Sequence, residues 1–169
     1  RNLADDSIPL NKGGKGSLAY SQAIQTYLCL SIGKQSDLSN AFCPWEPVAQ
    51  CPRNLFGRQA ITMGWTYAES ILFSNSSGGY AVIVKGIYNA LRKNSYNQPK
   101  INTEIFQHDA TDVVFPPGVN IVSTDPPYYD AIPYADLSDF FYPWMKKGLA
   151  DVYPEIFGTI ATPKSNELV

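Results

Sequence analysis

Histidine is nearly missing from this chain, with His108 alone, and cysteine is scarce, at Cys29, Cys43 and Cys51. Three thiols cannot all pair with one another, which argues against a disulfide framework. Cys43 and Cys51 stand eight apart, outside the spacing of a zinc ligand pair, so no metal site is expected. The plain reading is reduced thiols in a cytoplasmic protein. Charge is also thin: 17% of residues are charged and the formal net charge is −2. That balance removes the simple electrostatic case for nucleic-acid binding, which needs clustered Lys and Arg. No stretch approaches the roughly 20 apolar residues of a membrane-spanning helix. No apolar segment follows a basic start, so no secretory signal is read. The opening Arg1-Asn2-Leu3 lacks methionine, which raises the expectation of a piece of a longer chain.

Aromatic residues are plentiful, with 11 Tyr, 8 Phe and 3 Trp, and 44% of the chain is hydrophobic. That composition excludes a disordered segment. At 169 residues the chain has one domain's worth of material. Chains of about 150 residues bury ~68–70% of their unfolded surface.

Three regions stand out along the sequence. Residues 1–16 read as a flexible polar lead ending in Lys12-Gly13-Gly14-Lys15-Gly16, whose spacing is wrong for a phosphate-binding loop. Residues 17–98 read as mainly helical. Ala19, Ala23, Tyr27, Leu30 and Leu38 predict a helix from Ser17 to Leu38 with Ser17 as N-cap. Pro44, Pro47 and Pro52 then impose a loop. Phe56, Ile61, Trp65, Ala68 and Leu72 again have helical spacing over 56–73, weakened by Gly57 and Gly64. The Ser/Gly run up to Gly79 fits a turn with an N-cap, or an anion site on free backbone amides, before an apolar stripe from Ala81 to Leu91. Arg92, Lys93 and Lys100 suit that helix's C-terminal end.

Residues 99–169 read as an α/β segment. Short strands are predicted over Ile101–Gln107 and Gly118–Thr124, and strands set between helices suggest an α/β arrangement with a parallel sheet. After Pro133, the positions Tyr134, Leu137, Phe141 and Trp144 mark one face of a helix that Pro143 should kink or divide.

The second predicted strand runs into Asp125-Pro126-Pro127-Tyr128. In open α/β sheets, ligands bind at the carboxyl ends of strands. Two prolines in succession fix both φ angles and remove two N–H donors, leaving a ridge of carbonyl acceptors. Asp125 adds a carboxylate and Tyr128 a flat face. Acceptors without donors beside a stacking ring suit an –NH₂ group on a planar heterocycle.

This tetrapeptide resembles motif IV of the S-adenosylmethionine-dependent amino-methyltransferases. The longer runs Ser123–Asp130 and Ile132–Tyr142 resemble the large adenine-specific DNA methylase family, as do Asn54–Ile61, Phe73–Ser76 and Thr162-Pro163-Lys164. The resemblance covers the chain from about Tyr20 onward. It implies a partial class I methyltransferase (Rossmann-like) sheet with an N-terminal helical region. It also implies methylation of the exocyclic amine of adenine, or cytosine, in DNA. Asp125 and the Pro126 carbonyl would accept hydrogen bonds from the target amine, with Pro127 holding the ridge and Tyr128 stacking on a flipped-out base. Asp109, near the end of the earlier strand, would meet the cofactor's adenine; a turn or helix-cap role is the plainer alternative, and Asp112 is less favoured. His108 is assigned no role.

The family's glycine-rich cofactor turn has no counterpart here in a strand–turn–helix context. The chain is therefore expected to be a central-to-later piece, inactive alone, with its DNA contacts made through the parent protein. Missing neighbour strands would leave sheet edges open to a second copy, giving a homodimer. Two alternatives stand beside this reading. One is a methyltransferase acting on RNA or on protein glutamine; the other is a non-catalytic domain in which Asp-Pro-Pro-Tyr is only a rigid connector.

Overall fold

The computed structural model describes residues 6–96, 105, 109, 112–115, 117–118, 121–126, 128 and 132–165. Five helices and one small sheet are found among them: α1 (Ser17–Leu38), β1 (Trp45–Glu46), β2 (Cys51–Pro52), α2 (Tyr80–Tyr96), α3 (Tyr134–Asp139), α4 (Tyr142–Leu149) and α5 (Pro154–Phe157).

From Asp6 the polar lead folds back on itself. Its carboxylate accepts hydrogen bonds from Ile8 N (3.1 Å) and Lys15 N (2.9 Å). A single 3₁₀ turn at Leu10–Lys12 closes on Gly13, whose φ of 77° is the left-handed conformation that glycine adopts at little cost. Leu10 N then donates to Gln22 Oε1 (2.7 Å), tying the lead to α1.

Helix α1 has the predicted bounds, but its N-cap is the extended Gly16, and Ser17 is the first helical residue. Small residues on one side admit α4. A Cβ at Gly148 would lie 2.3 Å from Cys29 Sγ, and one at Gly33 would lie 3.6 Å from Met145 Sδ. Cys29, Leu149 and Val152 form the buried cluster, backed by Met145, Tyr153 and Phe157. Removing Leu149 and Val152 from water stabilises the fold by about 1.5–3 kcal/mol each. Gln25 Nε2 donates to Gly148 O (2.7 Å) across the same contact. On another side of α1, Ser31 Oγ donates to Tyr80 Oη (2.8 Å) and fixes the start of α2.

The proline-rich loop holds the sheet. Trp45 pairs with Pro52 and Glu46 with Cys51 in antiparallel register. A Glu46–Arg53 ion pair at 3.5 Å lies beside it.

Two expectations are corrected here. Residues 56–73 form no helix, but an irregular run pinned where Ala68 N donates to Cys43 O (2.8 Å). Ala68 is buried and Phe56 half-buried, but Ile61 and Trp65 between them are exposed. Spacing alone cannot hold a helix that has glycine at 57 and 64 and no continuous apolar face to bury. The expected parallel sheet is not seen among the described residues, whose one sheet is β1–β2. Residues 101–104, 106, 107, 119 and 120 of the predicted strands lie outside the described set. Ile105 and residues 121–124 are exposed and unpaired with any strand. The architecture is thus mainly helical with a small antiparallel sheet.

The Ser/Gly run is a turn. Gly78, at φ 89°, and Gly79 are both buried, and α2 follows directly. The helix predicted after Pro133 is divided as expected. α3 ends at Asp139 and α4 starts at Tyr142, with Pro143 in its first turn, where a missing N–H costs nothing.

Candidate functional site

Asp125, Pro126 and Tyr128 lie on exposed backbone that is neither helix nor strand, and the Tyr128 ring is 79% exposed. Pro127 lies outside the described residues, as does His108. Asp109 is exposed, and its carbonyl accepts from Asp112 N (3.1 Å) in a local turn. Neither Asp109 nor Asp125 is among the residues that line the cleft walled by α3.

Two other stretches that carry the resemblance converge on α3, the helix that follows the motif in sequence. The first is Asn54–Gln59. Its anchor is Asp37, a buried carboxylate in the last turn of α1. Asp37 Oδ2 accepts from Asn54 Nδ2 (2.6 Å), Oδ1 accepts from Phe56 N (3.1 Å), and its carbonyl accepts from Leu55 N (2.8 Å). Lys34 Nζ approaches Oδ2 at 3.4 Å. Thus positioned, Phe56, Gly57, Arg58 and Gln59 form one wall of a cleft of about 670 Å³. Tyr134, Leu137, Ser138 and Phe141 of the α3 region form the other. Phe56 meets Phe140 and Phe141 with ring centroids 5.4 and 5.3 Å apart, which sets the separation of the two walls.

The C-terminal Thr162-Pro163-Lys164 closes the outer side of α3. Lys164 Nζ bridges Asp139 Oδ2 (2.6 Å) and Asp136 Oδ1 (2.7 Å). Thr162 N donates to Asp139 Oδ1 (2.9 Å), and the Thr162 hydroxyl reaches Ala135 O (2.7 Å). The Lys164 ammonium, followed by the Thr162 donors, holds the Asp139 carboxyl down at about 2. Its paired carboxylates, Asp136 first, push the Lys164 ammonium up.

Arg58 is exposed at the cleft and makes no ion pair among the described residues. A guanidinium there can engage a phosphate in two parallel hydrogen bonds. The cleft therefore offers an apolar and aromatic floor with a cationic edge. Sequence reasoning missed Asp37; the available signal was an acid in a helix's last turn, where the macrodipole disfavours it.

S-adenosylmethionine, the cofactor the resemblance implies, finds no cradle in the Ser/Gly turn before α2. A Cβ at Gly79 would lie 2.0 Å from Ser74 O, and one at Gly78 would lie 2.7 Å from Ser70 Cβ. The chain's own atoms fill that turn, so it does not fit the cofactor's methionine moiety. Among the described residues no group of three or more His, Cys, Asp or Glu side chains could hold a metal ion. None of the described helices is long and apolar enough to cross a membrane. Burial pushes the Cys29 and Cys43 thiols up, away from the reactive thiolate form. Comparison with protein-family models, with curated proteins and with solved structures gives no match to the chain.

Proposed function

We propose that this chain carries the amine-recognition part of a nucleobase amino-methyltransferase, with adenine in DNA as the preferred target and S-adenosylmethionine as the methyl donor. In this reading residues 121–124, which pair with no strand among the described residues, would join a Rossmann-like sheet of the longer polypeptide and place Asp125-Pro126-Pro127-Tyr128 at its end. The observation that carries the proposal is the motif's chemistry, with its described residues exposed, immediately before a helix flanked by a cleft with a cationic edge.

The Asp125 carboxylate and Pro126 carbonyl would accept hydrogen bonds from the two amine N–H groups and so orient the nitrogen lone pair. The carboxylate also stabilises the positive charge that grows on nitrogen as it is alkylated. Tyr128 stacks on the ring, a contact worth about 1–3 kcal/mol per base. Arg58, in the cleft walled by α3, suits a backbone phosphate of the same nucleic acid. In this reading the cofactor would be held by the longer polypeptide that the resemblance implies.

The test is transfer of labelled methyl groups by that longer polypeptide to DNA, RNA and a glutamine-bearing peptide. DNA is the expected acceptor, and Asp125→Ala should lower the rate by about 10²–10³, as loss of a charge-stabilising group does. Transfer only to RNA or peptide would move the reading to another substrate. Undiminished transfer by Asp125→Ala would remove the motif from the mechanism.

A further inference from the structure

We propose that the cleft between the Asn54–Gln59 loop and α3 holds one nucleotide, its base against the aromatic wall and its phosphate on Arg58. The proposal deepens the reading above, and rests on it only for placing this nucleotide beside the methylated one in the same strand. Among the described residues no carboxylate lines the cleft, whose polar side chains are those of Arg58, Gln59, Tyr134 and Ser138. Arg58 is exposed and holds no ion pair among the described residues, so its guanidinium is free to turn to a ligand.

The backbone adds donors of its own. The N–H groups of Gly57, Arg58 and Gln59 donate to no backbone carbonyl among the described residues. Successive free amides beside a guanidinium favour an anion, and a phosphate suits both. The two carboxylates of α3, Asp136 and Asp139, are each held by Lys164 (2.7 and 2.6 Å), which reduces their competition for Arg58. The loop is also set in advance. Asp37 accepts from Asn54 Nδ2 and Phe56 N, so binding does not have to order the segment that leads into Arg58.

An anion alone does not account for the rest of the lining, which is Phe56, Leu137, Phe141 and the ring of Tyr134. Tyr134 is 47% exposed and packs on no other ring among the described residues. Every base has a face that can stack on such a ring. The volume of about 670 Å³ lies in the range of roughly 300–1,000 Å³ typical of ligand pockets and leaves room for a base and sugar beside the phosphate. Gln59 offers both a donor and an acceptor, which the edge of a base can engage and a phenyl ring cannot. That favours a nucleotide over a phosphorylated tyrosine.

Thymidine monophosphate is the probe, because thymine has no exocyclic amine and its binding is independent of the amine-gripping role of Asp125. In calorimetric titration of the 169-residue chain at low salt, it should bind about fivefold or more tightly than thymidine, which lacks the phosphate. A similar margin is expected over deoxyribose phosphate, which lacks the base. Added salt should narrow the first difference and leave the second. Arg58→Gln should erase the preference over thymidine, and Ser138→Trp, which sets a ring in the cleft, should abolish binding. Both positions are exposed, so both variants should fold. No binding of thymidine monophosphate, affinity equal to that of thymidine, phosphotyrosine binding as tightly, or binding untouched by either variant would overturn the proposal. Methyl transfer by Asp125→Ala tests the amine reading alone, so the two can fail separately.

Discussion

Asp139 shows how one carboxylate fixes the neighbourhood of the site. It accepts from Lys164 and Thr162 and so fastens the C-terminal arm to α3. Its pKa lies at about 2 in the folded chain, against roughly 3.9 for a free aspartate. A depressed carboxylate contributes stability that is present above its unfolded value and is lost as pH falls through its folded value. The melting-temperature difference between the chain and Asp139→Asn should therefore be constant near neutrality. It should shrink as pH falls from roughly 4 to roughly 2. A difference that grows on acidification would contradict this assignment. The motif stands out in the sequence because its chemistry is local: two prolines, an acid and a ring in succession. Asp37 was not legible, because its role depends on Asn54 and Phe56, brought to it by a loop that no periodicity describes.

Among the elements, α1 and α2 were readable from apolar spacing although their predicted faces are only partly covered, Tyr27 and Leu30 of α1 being exposed and no described residue of α2 fully buried. α1 kept its predicted bounds, and α2 grew from the stripe at Ala81–Leu91 to Tyr80–Tyr96. The α3–α4 division followed from Pro143, since proline is tolerated in a helix's first turn and not in its interior. Residues 56–73 had comparable spacing but no continuous buried face, Ile61 and Trp65 being exposed, and backbone entropy at Gly57 and Gly64 prevailed. The α1–α4 contact depends on a glycine that sequence gave no cause to single out. Gly148→Ala would set a methyl group 2.3 Å from Cys29 Sγ, too close without movement of one helix. The expected cost is about 1–3 kcal/mol in urea denaturation, as for overpacked cores. In a Cys29→Ala background most of that cost should disappear, a coupling that a double-mutant cycle measures. Equal costs in both backgrounds would show that the two helices do not meet at this point.

For the whole molecule, the sequence predicted a helical half followed by a strand-bearing half, and the described residues give mainly helices and one two-stranded sheet. The helical half was legible because local spacing governs helices. Strands depend on partners distant in sequence, and most of Ile101–Gln107 lies outside the described residues. What unites the two halves is α3, on which Asn54–Gln59 and Thr162–Lys164 converge. The central claim is that this motif grips an amine-bearing base. It is tested most directly by equilibrium binding of the 169-residue chain to a DNA oligonucleotide with one unpaired adenine, against the same strand carrying purine, which lacks the amine. The account predicts tighter binding to adenine, a preference lost in Asp125→Ala. Tyr128→Ala should weaken both strands by about 1–3 kcal/mol. Identical affinity for the two strands, or a preference that survives Asp125→Ala, would contradict it.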